Sequence, residues 1–205
     1  MLGSLSKRTT PLLCAAILTI LPGASAQTFV GAAFQQAFTS TSTLESPRGL
    51  SLFFGADRIW GPVGLSFGYQ HVSQGSGVVA QTCGFESCTP RPFDQSYFLE
   101  TAALGLSLHP ANGPLAIFTL GASVSLSSQG ERLAHVDTGE VTKDRVGPDL
   151  GIGISTRLEM PVTRKIRPFF SVQYDRILAG TCAADATCFG DRNVARLGIG
   201  VLWRP

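Results

Sequence analysis

Residues 63–73 read V-G-L-S-F-G-Y-Q-H-V-S. Successive side chains of an extended chain point to opposite sides. Val63, Leu65, Phe67 and Tyr69 therefore share one face, and Gly64, Ser66, Gly68 and Gln70 share the other. One face is oily, the other small and polar. His71 and Ser73 keep the parity of the oily face and break its rule.

The same two-residue rhythm marks eight segments. Residues 27–38 set Val30, Ala32, Phe34 and Phe38 against Gly31, Ala33, Gln35 and Ala37, and residues 49–59 set Leu50, Leu52 and Phe54 against Ser51, Phe53, Gly55 and Asp57. After 63–73 comes a fourth strand at 93–108, where Ala102, Leu104, Leu106 and Leu108 alternate with Thr101, Ala103, Gly105 and Ser107. The fifth, 116–127, opposes Phe118, Leu120, Val124 and Leu126 to Thr119, Gly121, Ser123 and Ser125; the sixth, 150–160, opposes Ile152, Ile154 and Leu158 to Gly153, Arg157 and Glu159. The seventh carries Phe170, Val172 and Tyr174 against Ser171, Gln173 and Asp175, and the eighth Leu197, Ile199, Val201 and Trp203 against Arg196, Gly198 and Gly200. Helical spacing is not sustained after residue 26.

Ahead of these strands, residues 1–26 have the form of a secretory signal: Lys7 and Arg8, an apolar run over 11–21, then Ala24-Ser25-Ala26. Cleavage is expected after Ala26. A lipoprotein signal at Cys14 is the competitor, but Leu13 stands where a small residue is required and the apolar run continues past the cysteine. Removing this segment takes two of the 16 basic residues and none of the 14 acidic ones, so the remainder is balanced in charge. No basic surplus draws it to nucleic acid. Only 15% of residues are charged and mean hydropathy is +0.21, yet no apolar run past residue 26 approaches the roughly 18 residues that a spanning helix needs. Oily composition without long oily runs is what a membrane barrel produces.

The expected fold is all-β: an eight-stranded antiparallel up-and-down transmembrane barrel over 27–205. Strands of about ten residues cross a bilayer at a tilt. The links at 60–62, 110–114 and 163–165 are short, and the others long and polar, with 74–92 and 129–146 read as loops. Short periplasmic turns and long outer loops place both termini in the periplasm. Trp60 and Trp203 then fall at the periplasmic ends, as an aromatic girdle requires. A soluble barrel would need the Gly/Ser/Thr face to meet water. That face suits a narrow lumen better, where small side chains and ion pairs among Arg157, Glu159, Asp175 and Arg196 fill the interior. Asp175 and Arg196 lie about equally far from the last loop, so they can pair across the ladder and act as a plug.

Four cysteines follow residue 26, as Cys83 with Cys88 and Cys182 with Cys188. In an exported chain an even number points to disulfides, and local pairing is the simplest of the three connectivities. Metal binding is the alternative, and it lacks nearby histidines. No cofactor is called for.

In its layout the chain from 27 to 205 resembles the small eight-stranded outer-membrane barrels, a family of attachment, lipid-modifying and structural proteins. The resemblance implies an outer-membrane location, contact with membrane lipid and lipopolysaccharide, insertion by the barrel assembly machinery, and a monomer. Such proteins commonly end on an aromatic residue, whereas here Trp203 is followed by Arg204-Pro205.

Eight strands leave little room for a pore, so function is expected in the loops, the outer wall or the rim. Counting up from the turns pairs Val63 with Leu108, Leu65 with Leu106, Phe67 with Leu104, Tyr69 with Ala102 and His71 with Glu100. A serine, a histidine and a carboxylate would then meet on the lipid-facing wall at head-group height, where the imidazole could take the serine proton. The arrangement looks like that of lipid A 3-O-deacylases. By that resemblance Ser73 is nucleophile, His71 base and Glu100 the orienting acid. Gln74 stands where that family has Asn, and the trio lies on strands three and four rather than the last two. The simpler reading puts His71 in an interfacial belt with Tyr69 and Tyr97, and this favours a non-enzymatic barrel with a structural or surface-binding role. His109 reads as a turn residue and His135 as a loop residue.

Overall fold

The computed structural model describes residues 26–39, 46–83, 88–113, 115–136, 138–178 and 193–205. Eight antiparallel strands close into a barrel in chain order. They are β1 (Gln27–Thr39), β2 (Arg48–Trp60), β3 (Val63–Cys83), β4 (Cys88–Asn112), β5 (Ile117–His135), β6 (Val141–Glu159), β7 (Ile166–Ile177) and β8 (Asn193–Trp203). β1 closes the barrel on β8, from Val30 opposite Trp203 to Thr39 opposite Val194. The signal-like segment 1–25 and the pair Cys182 and Cys188 lie outside the described residues.

The wall is inside-out relative to a water-soluble protein. Leu52, Ile154 and Ile199 are 61%, 65% and 70% exposed, while Ser51, Thr101 and Ser125 are 2% or less. An apolar band this continuous around a closed barrel is a lipid-facing surface. The soluble-barrel alternative needs the reverse polarity. Trp60 and Trp203 both point outward at the ends of β2 and β8, beside the short turns.

The β3–β4 ladder pairs Val63 with Leu108, Leu65 with Leu106, Phe67 with Leu104, Tyr69 with Ala102 and His71 with Glu100. The expected loops at 74–92 and 129–146 are largely strand instead. β3 and β4 stay paired up to Cys83 opposite Cys88, and β5 and β6 up to Ala134 opposite Val141. The ladder changes register between Gly75 and Gly77 and again between Ser127 and Gln129. In the β6 extension residues 141–145 are all exposed, so the oily alternation that marks a strand in sequence disappears there while the backbone pairing continues.

The lumen is layered, and β8 contributes to most of the layers. Going from the loop end to the turn end, its inward positions are Val194, Arg196, Gly198, Gly200 and Leu202, with Arg204 following the strand. Val194 packs with Ala37, Val72 and Leu99 in a buried apolar cap. Arg196 lies in a polar plug. Next comes a chamber of about 120 Å³ lined largely by hydroxyls and amides, among them Ser66, Ser123, Ser171, Gln35 and Gln173. Leu202 joins Phe29, Ala33 and Phe169, with Phe53 against them. Phe53 meets Phe29 and Phe169 edge-on, with centroids 6.3 and 5.4 Å apart. The lumen is thus more apolar than small side chains and ion pairs alone, because the narrow bore admits rings wherever the facing residue is small. Gly200 is the clearest case: a Cβ there would strike the Ala32 carbonyl and the Phe169 ring.

Candidate functional site

On the outer wall, His71 and Glu100 face each other across the β3–β4 ladder, with Nδ1 3.4 Å from Oε1. The other carboxylate oxygen accepts from Arg145 Nη2 at 2.6 Å. Arg145 comes from the strand extension of β6, a stretch that reads as loop in the sequence. The trio is open to its surroundings, with side chains 46%, 23% and 56% exposed for His71, Glu100 and Arg145. The His71 ring lies nearly parallel to Phe98, with centroids 6.3 Å apart. Phe98 is the cross-strand neighbour of Ser73, and Arg48 is its neighbour on β2.

Ser73 lies two residues along β3 from His71, with the same outward parity. Among the described residues no hydrogen bond joins Ser73 to His71. Gln74 is engaged elsewhere, its side-chain oxygen accepting the Ser46 amide at 3.2 Å. What the geometry does provide is a carboxylate flanked by an imidazole and a guanidinium at the loop end of a lipid-facing wall.

Inside the barrel, Arg196 and Asp175 form a contact pair, 2% and 1% exposed. They sit diagonally, because Arg196 is opposite Gln173 and Asp175 opposite Val194. Gln173 Nε2 donates to both carboxylate oxygens at 3.1 and 2.9 Å, while Gln173 Oε1 accepts from Gln70 Nε2 at 2.8 Å. Arg196 Nη2 donates to Thr101 Oγ1 at 3.1 Å, and that hydroxyl meets Ser127 Oγ at 3.1 Å. Five strands are tied through this plug. Four of its six members carry no charge, so it closes the bore by hydrogen bonding as much as by ion pairing.

A second network shuts the turn end. Glu159 is fully buried and receives Arg157 and Arg204 at 3.0 Å each and Arg167 at 3.5 Å. Arg204 also reaches Asp57 at 2.6 Å, and Asp57 lies 3.1 Å from His109 Nε2. His109 Nδ1 is 3.2 Å from the Pro62 carbonyl oxygen. Arg157 additionally lies over the Phe29 ring, 5.2 Å from its centroid. His109 is therefore buried in a network and not a free turn residue. Sequence reasoning placed Arg157 and Glu159 here but missed Asp57, His109 and Arg204 as members. Parity was the available signal: Asp57 follows Ser51 and Phe53, His109 follows Ser107, and Arg204 follows Leu202, each on the inward side.

Cys83 and Cys88 stand opposite each other in the backbone register of β3 and β4.

No protein-family model matches the chain, and no curated protein matches it in sequence. Solved structures do. A major outer membrane protein from Thermus thermophilus has a TM-score of 0.64 at 13% identity, over 88% of this chain and 100% of that one. Neisserial surface protein A gives 0.56 at 15% identity, over 88% and 97%. Ail, the attachment invasion locus protein of Yersinia pestis, in complex with the heparin analogue sucrose octasulfate, gives 0.54 at 10% identity, again over 88% and 97%. The fold is that of the small bacterial outer-membrane barrels.

Proposed function

We propose that this chain is a non-enzymatic outer-membrane protein, exported by a cleaved signal, that acts at the cell surface through its loop end. The observation that carries this reading is the blocked lumen. Two polar networks and two apolar clusters lie across the bore, which disfavours a general pore and leaves the rim and wall as working surfaces. The loop end is also the more built-up end, where the β3–β4 and β5–β6 ladders run on beyond the apolar band. Lipopolysaccharide is the natural neighbour of that rim, with Arg145, His71 and Arg48 available to its phosphates. A Cys83–Cys88 disulfide would tie the tip of the taller hairpin, and a Cys182–Cys188 disulfide the last loop.

The test is complementation in cells lacking the protein. Ser73→Ala should restore envelope integrity and surface binding fully, whereas removal of residues 76–92 should abolish the binding. Full activity of the shortened protein, or failure of Ser73→Ala, would overturn the reading.

A second reading is kept for one reason: the His71–Glu100 contact has the relation of a base to its orienting acid. It makes the wall a lipid A esterase with Ser73 as nucleophile. Incubation with lipopolysaccharide, followed by mass spectrometry, decides it. Acyl loss that disappears in Ser73→Ala supports the esterase, and no fatty acid release removes it.

A further inference from the structure

The turn end of the barrel holds more positive charge than its carboxylates match. Arg157, Arg167 and Arg204 converge on Glu159, and Asp57 already lies against Arg204 and His109. Three guanidiniums face two carboxylates before His109 is counted.

A cavity of about 210 Å³ opens beside the network, with Arg58, His109, Arg167 and Arg204 on its wall and Asp57 as the one acidic side chain there among the described residues. A water needs only about 10–15 Å³ of such space, so the cavity admits a larger guest. Two of its wall groups still have hydrogens to give. Nε of Arg167 and Nε of Arg204 are buried without a hydrogen-bond partner among the described residues. The Arg204 side chain is 7% exposed. A buried donor left unsatisfied is costly, more so on a charged group, and a surplus of buried cations adds to that cost. Guanidinium forks match tetrahedral oxyanions through paired, charge-assisted hydrogen bonds.

We propose that the cavity at the turn end binds a phosphate group, held by Arg167 and Arg204 with Arg58 at its entrance. The shared chemistry is a phosphate oxyanion, and two sources supply it: free inorganic phosphate, or the head group of a phospholipid from the adjoining leaflet.

The experiment uses the full chain folded in a non-ionic detergent, with folding verified by heat-modifiable migration. Calorimetric titration is run with inorganic phosphate at fixed ionic strength, and separately with short-chain phosphatidic acid below its micellar concentration. One saturable site for either ligand is expected. Binding of both assigns the site to phosphate in general, and binding of the lipid alone assigns it to a head group. Arg204 and Glu159 are central to the network and their variants risk misfolding. Arg167→Gln is the test variant, because its ion pair is long at 3.5 Å and its side chain is 17% exposed. It should weaken binding by about tenfold, the loss of one charge-assisted contact, while Arg132→Gln on the far extension of β5 leaves it unchanged. Heat from phosphate no different from that of chloride, or wild-type affinity in folded Arg167→Gln, overturns the proposal.

Discussion

Replacing Asp175 by alanine leaves the Arg196 guanidinium, 2% exposed, with Thr101 as its remaining hydrogen-bond partner among the described residues. Replacing Arg196 by methionine is milder, since the Asp175 carboxylate keeps two contacts from Gln173. Removing one partner of a buried pair costs about 3–5 kcal/mol. Asp175→Ala should therefore fall near about 5 kcal/mol and Arg196→Met near about 3 kcal/mol. Exchanging both, Asp175→Ala with Arg196→Met, leaves no charge stranded. It should cost less than either single change. The assay is urea unfolding of the barrel in lipid vesicles, read by heat-modifiable migration and by the fluorescence of Trp60 and Trp203. Single variants within about 1 kcal/mol of the parent, or a double variant equal to the sum of the two, would refute the placement of this pair in a water-poor lumen.

Leu104 is 52% exposed within the outward run of β4, so Leu104→Arg should cost about 2–4 kcal/mol of folding stability in lipid, measured by the same unfolding curves. Gly200→Val should lose about 1–3 kcal/mol through overpacking against Ala32 and Phe169, and Gly200→Ala in the same assay should fall between it and the parent. Peptide mapping without reductant should recover Cys83 and Cys88 on one linked fragment, since their register suits a disulfide; free thiols at both positions would count against an oxidised hairpin tip.

Much of the wall was legible because a membrane strand separates two media. Residue by residue, Val63 to Tyr69 had to alternate, and counting from a short turn set the register of His71 against Glu100. The pair Asp175 and Arg196 could be read for the same reason, being nearly equidistant from one loop. The extension of β5 and β6 was illegible. Lys143, Asp144 and Arg145 are charged on both faces because water lies on both sides, and nothing in their order distinguishes a paired strand from a loop. The turn-end network failed differently. Asp57, His109, Glu159 and Arg204 each carried the inward parity, but they lie far apart in the chain, and it is barrel closure that brings them together. The outer-wall trio was half legible: the strand register supplied His71 and Glu100, while Arg145 entered from a segment whose strand character was hidden.

Arg204 is the last charged residue of the chain, and it bridges carboxylates contributed by β2 and β6. Until β8 has docked on both neighbours, Asp57 and Glu159 lack the group that lies between them. A barrel with one strand missing is therefore penalised at its base as well as along its open seam, and closure gains an all-or-none character from a residue beyond the last strand. A chain ending at Trp203 should keep the strand-to-strand ladder of β8, lose the Arg204 amide's bond to the Lys165 carbonyl, and close poorly, visible as a persistent unshifted band on gels run without heating. The turn end acts as a lock that closes only once β8 has docked.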